Sequence, residues 1–177
     1  YNVHDYMSAN YDFDIENKRI SQLAKYDLLN LRKVPELDIF AETVCLITDS
    51  PGSLVAVMER ELQTIQSCVL LNIETVVRKN TMCQFAVNSK EMLLIEDTLL
   101  DQRALDNEML MQGKIRFYVS VPLIDAEGYV LATICAVDFK PKTLSQDQIN
   151  SLHKLASAVT KLLTSRKIDI YAEFFFE

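Results

Sequence analysis

The feature that most limits the possible folds is a pair of strand-like segments, residues 115–124 and 129–138. In the first segment, apolar side chains alternate with side chains that have a polar group. The apolar residues are Ile115, Phe117, Val119 and Val121, and those with a polar group are Arg116, Tyr118 and Ser120. Successive side chains of a strand point to opposite faces of its sheet, so this pattern predicts a sheet whose two faces have different neighbours. The second segment repeats the alternation more weakly, with Val130, Ala132, Ile134 and Ala136 opposed by Leu131, Thr133, Cys135 and Val137. Residues 125–128 end in glycine and suit a hairpin connection.

Helical periodicity precedes these strands. From Asp14, which stands where a helix N-cap belongs, apolar residues recur every three to four positions and predict a first helix. A second helix is expected to begin near Pro35, and residues 49–52, DSPG, should end it. The segments expected between this turn and the two strong strands are a hairpin over 53–71, a loop over 73–82, a helical turn over 83–87, a strand over 92–95 and a brief helix from 101 toward 110.

A closing helix has the clearest local signal. Ser145 followed by Gln148 forms a capping box, and apolar residues continue from Ile149 to Leu163 at helical spacing. Neither a repeat nor a linker divides the chain. We therefore expect one domain over residues 14–168, preceded by a lead-in segment, 1–13, and followed by an aromatic tail, 169–177, whose phenylalanines need an apolar surface to cover them.

Charge and hydropathy exclude several classes of function. With 18 basic and 25 acidic residues the net charge is −7, which disfavours binding to nucleic acid or to anionic lipid surfaces. No apolar run approaches the ~20 residues that a membrane helix needs. The chain opens at Tyr1 with neither an initiator methionine nor a leader pattern, so we expect a soluble, cytoplasmic piece of a longer protein.

The cysteines do not have the spacing of a metal site. Cys45, Cys68, Cys83 and Cys135 include no Cys-x-x-Cys pair and have no histidine near them in the sequence, which fits neither structural zinc nor a dense disulfide framework. All except Cys83 lie among apolar neighbours and are expected to be small buried hydrophobes, as in a reducing cytoplasm. We therefore predict no metal and no covalent cofactor.

Residues 115–123, IRFYVSVPL, and 128–138, GYVLATICAVD, resemble the core pattern of the GAF domain family. Residues 95–103, IEDTLLDQR, are similar to another part of that pattern, and Pro141, Leu144, Ser145 and Gln148 follow in its order. The resemblance implies an α/β (α+β) domain with a central antiparallel β-sheet. It places the N- and C-terminal helices on one face of the sheet, and short helices and loops over a ligand pocket on the other. Ser120 and Ala132 replace two glycines of the pattern, which implies a narrower or more polar pocket.

From the resemblance and the alternation together, we predict the residues that line the pocket: Cys83, Phe85, Tyr118, Ser120, Thr133 and Cys135. The predicted function is a sensory domain that binds an unidentified small molecule, forms a homodimer through its terminal helices, and controls an attached output domain without being an enzyme. One alternative is a ligand-free dimerisation scaffold. Another is a thiol-dependent reductase of free methionine sulfoxide, which is disfavoured because residues 80–87 contain one cysteine and no glycine.

Two carboxylates with cationic residues near them could suggest acid–base catalysis: Asp97, Asp101, Arg103 and Arg116. A structural interpretation is preferred. Asp101 occupies the position of a helix N-cap, Asp97 can fix the turn after a strand, and Arg116 can bridge to either carboxylate. The two histidines, His4 and His153, are expected to be solvated rather than ligands.

Overall fold

The computed structural model describes residues 13–175, with side chains over 13–166. The helices in this part of the chain are α1 (Phe13–Lys25), α2 (Asp38–Thr48), α3 (Cys83–Ser89), α4 (Gln102–Leu105), α5 (Glu108–Gln112) and α6 (Gln146–Phe175). Its strands are β1 (Gly52–Met58), β2 (Leu62–Val69), β3 (Thr75–Val77), β4 (Leu93–Ile95), β5 (Phe117–Ile124) and β6 (Val130–Asp138). Short 3-10 turns lie at Pro35–Leu37, Arg78–Asn80 and Thr98–Leu100. Within the described residues, no helix combines the length and apolar character needed to cross a bilayer.

The strands form one antiparallel sheet in the order β3-β2-β1-β6-β5-β4. Every residue of the central strands β1 and β6 is buried, because the sheet is covered on both faces. Helices α1, α2 and α6 pack on one face, and α3 packs on the other. The predicted α/β (α+β) architecture is confirmed.

The two faces of the sheet have different neighbours, as the alternation predicted. The second face also contains a hydrophobic core, where the sequence predicted a polar-lined pocket. Phe117, Val119 and Val121 lie in the core beneath the terminal helices. Tyr118, between the first two of these, lies in the second core, which α3 covers. The hairpin that joins β5 to β6 closes through a hydrogen bond from the Gly128 amide to the Asp125 carbonyl, 3.0 Å. Gly128 has φ +88°, a conformation that favours glycine.

The alternation predicted for β6 is wrong at one point, because a β-bulge interrupts the ladder. Leu123 pairs with Ala132 and Ile124 pairs with Val130, so Leu131 is an extra residue. As a result Leu131 and Ala132 both lie in the core of the terminal helices, whereas Val130 lies in the second core. Beyond the bulge the predicted facing holds.

Three other predictions need correction. Asp14 is not the N-cap of the first helix, because α1 already includes Phe13. The expected loop over 73–82 contains strand β3, which forms the edge of the sheet, and a 3-10 turn. The helix expected from 101 toward 110 is divided into α4 and α5, because the Asn107 side chain caps a second start by accepting a hydrogen bond from the Leu110 amide. The lead-in residues 1–12 and the last two residues of the tail lie outside the described range, and the tail backbone is helical to Phe175.

The capping box of α6 is confirmed. The Gln148 amide donates to Ser145 Oγ (3.1 Å), and the Ser145 amide donates to Gln148 Oε1 (2.8 Å). We expect Ser145→Ala to lower the free energy of unfolding by about 1 kcal/mol, since the substitution removes the acceptor for an amide that has no partner inside the helix. Urea denaturation of the full chain measures this change.

Ser151→Ala is the matched control, because Ser151 is exposed on the same helix. It should change the stability by less than about 0.5 kcal/mol. Equal losses for the two variants would contradict the capping role.

Candidate functional site

Helix α3 covers the sheet on the face opposite α1, α2 and α6. Its first turn is fixed by the residues just before it, since Thr81 Oγ1 accepts from the Gln84 amide (3.3 Å) and Gln84 Nε2 donates to the Thr81 carbonyl (2.8 Å). The helix ends at a left-handed residue, Lys90, whose amide donates to the Ala86 carbonyl. This arrangement sets Cys83 over the middle strands of the sheet.

The structure brings five of the six predicted pocket residues together beneath α3. Cys83 Sγ lies 2.8 Å from Tyr118 Oη, and Ser120 on β5 pairs directly with Cys135 on β6. These residues and Thr133 are all buried, with exposed fractions of 0–4%. The sixth, Phe85, is half-buried at the edge of this cluster, where the Arg103 guanidinium lies 5.5 Å from the centre of its ring.

Three polar atoms of this cluster have no well-formed hydrogen bond within the described residues: Gln63 Nε2, Ser120 Oγ and Thr133 Oγ1. All three side chains are almost completely buried. A buried polar group without a partner costs about 1–3 kcal/mol, so such groups mark a place where a polar guest could bind. We call the set Cys83, Tyr118, Ser120, Thr133, Cys135 and Gln63 the polar cluster.

Gln63 was missed by the sequence interpretation. It lies on β2, two residues before Ile65 of the second core, so period-two alternation along β2 assigns it to the same face. The alternation along β2 is weak, because Leu62, Thr64 and Gln66 on the other face do not differ consistently in polarity from Gln63 and Ile65.

The side chains around Cys83 change its acidity. The polar side chains around the sulfur, first that of Cys135 and then those of Thr133, Tyr118 and Gln63, lower the pKa of the Cys83 thiol to about 6, although burial acts to raise it. The pKa of Cys135 is raised well above that of an ordinary thiol, first by its hydrogen bond to Cys83 and then by burial. Burial, followed by the negative charge of Cys83, likewise raises the pKa of Tyr118. These shifts favour ionisation of Cys83 before that of Cys135 or Tyr118 as the pH rises.

The two pairs of charged residues have structural roles. Asp97 accepts from the Leu99 amide (3.0 Å) and pairs with Arg116 (3.1 Å), and the first of these contacts is the main cause of its lowered pKa. Asp101 caps α4 and pairs with Arg103 (2.8 Å), which lowers its pKa. Both carboxylates are thus held in the ionised form and occupied by local partners, as the structural interpretation predicted.

The burial of the cysteines differs from expectation. Cys135 is buried, but Cys45 is only half-buried and Cys68 is exposed, because Cys68 lies near the end of β2 where the covering helices no longer reach it. All four are free thiols. Within residues 13–166 no group of three or more His, Cys, Asp and Glu side chains could hold a metal ion. His153 is exposed, as expected, and His4 lies outside the described residues.

The GAF domain family model matches residues 36–163, and the chain belongs to this family of sensory and regulatory domains. The chain is also 28% identical over 144 residues to a cyclic di-GMP phosphodiesterase of Pseudomonas aeruginosa. That match covers 78% of this chain but only 24% of the phosphodiesterase, so the chain spans about a quarter of its relative.

Solved structures have the same fold at low sequence identity. The GAF domain of PixJ from Thermosynechococcus elongatus, in its blue-light-absorbing form, has a TM-score of 0.63 at 12% identity and covers 79% of this chain and 89% of its own. The type II free methionine-R-sulfoxide reductase of Thermoplasma acidophilum has a TM-score of 0.57 at 12% identity, with coverages of 88% and 96%. Likeness at this level shows the fold alone.

The acidity of Cys83 can be tested by titration. As the pH rises through about 6, the folded protein should gain one thiolate, measured by its ultraviolet absorbance, and Cys83→Ser should lack this step. The pKa of an ordinary thiol is 9.0, so ionisation of Cys83 stabilises the fold progressively from pH 6 to 9, and this contribution is lost as the pH falls through 6.

Tyr118→Phe provides the second measurement, because it removes one donor to the Cys83 sulfur and should move the step to higher pH. Cys68→Ser, at the exposed thiol, should leave the step in place. A wild-type titration whose first thiolate forms only near about 8.5 would contradict the lowered pKa.

Proposed function

We propose that this chain is a regulatory sensory domain that binds a small molecule at the polar cluster beneath α3 and thereby controls an attached signalling domain. The observation that carries the proposal is the convergence of three unpaired buried groups, on Gln63, Ser120 and Thr133, on the face away from the terminal helices. A small molecule with hydrogen-bond acceptors would pair with these donors and relieve the cost of their burial.

Binding at this site requires a movement of α3. The polar cluster is closed to solvent, and helix α3 covers it. This helix has seven residues and is followed by Lys90 in the left-handed conformation. A ligand that binds only the open arrangement shifts the population toward it. The site therefore supports a switch in which occupancy and conformation are linked.

The sheet offers a connection from the site to the terminal helices. Tyr118 and Ser120 face the site, while Phe117 and Val119, next to them on β5, face the core into which α6 packs Leu152 and Val159. A shift of β5 would therefore change the packing of α6 against the sheet. The phosphodiesterase that this chain matches is more than three times its length, which suits a sensory domain joined to an output domain.

The proposed domain is not an enzyme and takes no cofactor, metal, nucleic acid or membrane as a partner. Its ionised carboxylates Asp97 and Asp101 are engaged in structural pairs. The free state of its cysteines suits a reducing compartment, so the proposal places it in the cytoplasm.

Two alternatives have specific support. The closed packing of the polar cluster suits a ligand-free dimerisation scaffold. The lowered pKa of the Cys83 thiol, to which the neighbouring Cys135 contributes most, suits a thiol-dependent reductase of free methionine sulfoxide. Turnover of free methionine sulfoxide with a dithiol reductant would establish the reductase, and the next measurement separates the sensor from the scaffold.

Ligand binding can be tested by thermal shift with a panel of small molecules that includes cyclic AMP, cyclic GMP and free methionine sulfoxide. A binding compound should raise the melting temperature of the wild type. Thr133→Val preserves the shape of the side chain but removes a hydroxyl that lacks a well-formed hydrogen bond, so it should abolish that rise. Below pH 6, where Cys83 is a neutral thiol, the unliganded variant should be as stable as the wild type or more stable.

The matched control is Thr64→Val. Thr64 is also buried in the sheet, but its hydroxyl accepts a hydrogen bond from Gln66, whose side chain donates to the Leu31 carbonyl on the side of the terminal helices. This variant should lose stability and keep the ligand-induced rise. A rise that persists in Thr133→Val would remove the polar cluster from the binding site, and no rise with any compound would favour the scaffold.

Dimerisation is the second part of the proposal. The first and last helices retain exposed apolar side chains, among them Phe13, Ile15 and Leu162. Light scattering should give twice the chain mass of 20.3 kDa at micromolar concentration. Leu162→Glu should shift the protein to a monomer by placing a charge in the interface. Leu100→Glu, at an exposed leucine outside the terminal helices, should remain dimeric, and a wild-type monomer would refute this part.

A further inference from the structure

Helix α1 is attached to the sheet through buried charges as well as through the apolar side chains of Ile20 and Leu23. Its buried residues are Glu16, Arg19, Gln22 and Leu23. Arg19 donates through Nη1 to the Met58 carbonyl (2.6 Å) and to the Val130 carbonyl (3.1 Å), at the ends of β1 and β6. The position of α1 therefore depends on polar contacts that hold only in one geometry.

The Glu16 carboxylate joins two guanidinium groups in this buried place. Arg19 pairs with it through Nε (2.9 Å) and Nη2 (2.8 Å), and Arg78 reaches it from another part of the chain through Nη1 (2.5 Å). All three side chains are at least nine-tenths buried. Separating one partner from such a group leaves a charge uncompensated, so the three side chains are expected to move together.

Arg78 is also tied to both ends of α3. Its carbonyl accepts from the Thr81 amide (3.0 Å) and from Thr81 Oγ1 (2.8 Å), and that hydroxyl also accepts from the Gln84 amide in the first turn of α3. Its Nη2 donates to Asn88 Oδ1 (3.1 Å) in the last turn. Arg78 thus contacts the cover of the polar cluster through its backbone and its side chain, and contacts α1 through the same side chain.

We propose that Arg78 transmits the opening of α3 to α1. When α3 lifts, Asn88 leaves Arg78 and the turn that carries Arg78 shifts, which weakens the Arg78–Glu16 pair and loosens α1. The signalling role of this coupling rests on the proposed function, because opening is then controlled by a ligand. The coupling itself exists in the unliganded protein and can be measured there.

The test is hydrogen–deuterium exchange on the full 177-residue chain, followed by mass spectrometry. Ala86→Gly loosens α3 because it places glycine in the helix interior and removes a buried methyl group. Exchange of the α3 amides should rise about two- to fivefold. With Arg78 intact, exchange of the α1 amides, 13–25, should rise with it, whereas the α2 amides, 38–48, should not respond.

Uncoupling variants, which break the contacts of Arg78, distinguish coupling through this residue from a general loss of stability of the domain. In Ala86→Gly combined with Arg78→Lys, which keeps the charge but loses the planar fork, α3 should still exchange faster, and α1 should not respond beyond the effect of Arg78→Lys alone. Asn88→Ala repeats the test at an exposed residue, so the coupling can still be measured if Arg78→Lys does not fold. Lys79→Ala, at an exposed neighbour of Arg78, should leave the coupled response unchanged.

An α1 response that is absent with Arg78 intact, or that survives in both uncoupling backgrounds, would overturn the proposal. The result is independent of the ligand test. A failure of every compound in the thermal-shift panel would remove the proposed ligand and leave the coupling in place, whereas a failed exchange test would leave ligand binding at Thr133 untouched.

Discussion

The structure depends on the burial of its central strands on both faces. Because every residue of β1 and β6 is enclosed, the sheet needs two covers of different character. Helices α2 and α6 supply apolar surface on one face, while α3 and the short helices after it cover the other. Polar side chains on the second face, such as Ser120 and Thr133, are consequently enclosed without partners. The same constraint that makes the fold compact therefore encloses polar groups on this face of the sheet.

Helix α1 is held on the sheet by buried charged groups, whose energetics differ from those of apolar packing. An isolated buried charge costs far more than a surface charge, and a buried network of charges adds more to geometric specificity than to stability. Glu16 is held ionised because its two arginines outweigh the effect of burial on its pKa. An apolar stripe could slide along the sheet with little penalty, whereas Arg19 must meet the carbonyls of Met58 and Val130. This geometry allows α1 to respond to events elsewhere in the domain.

The site thus has two connections to the helices that lead out of the domain. Strand β5 links the polar cluster to α6, because adjacent residues of the strand face the two cores. Arg78 links the cover of the cluster to α1. Cys83 lies at the meeting point of cover and sheet, and its lowered pKa reports the donors gathered around it.

The resemblance to the GAF family indicated the fold class and, together with the alternation, five members of the polar cluster. Local spacing determined the capping box of α6 and the facing of Phe117, Tyr118 and Val119. These features depend on which side of a strand or helix a residue occupies, and periodicity encodes that directly. Periodicity did not reveal the bulge at Leu131, the inclusion of Gln63, or the exposure of Cys68. Glu16 and Arg78 are in contact although 62 residues separate them in the sequence. Both are charged residue types that normally lie on the protein surface. Only the tertiary structure could bring them together, because a charge is stable in the interior when a specific distant partner reaches it, and no local pattern records which partner that is.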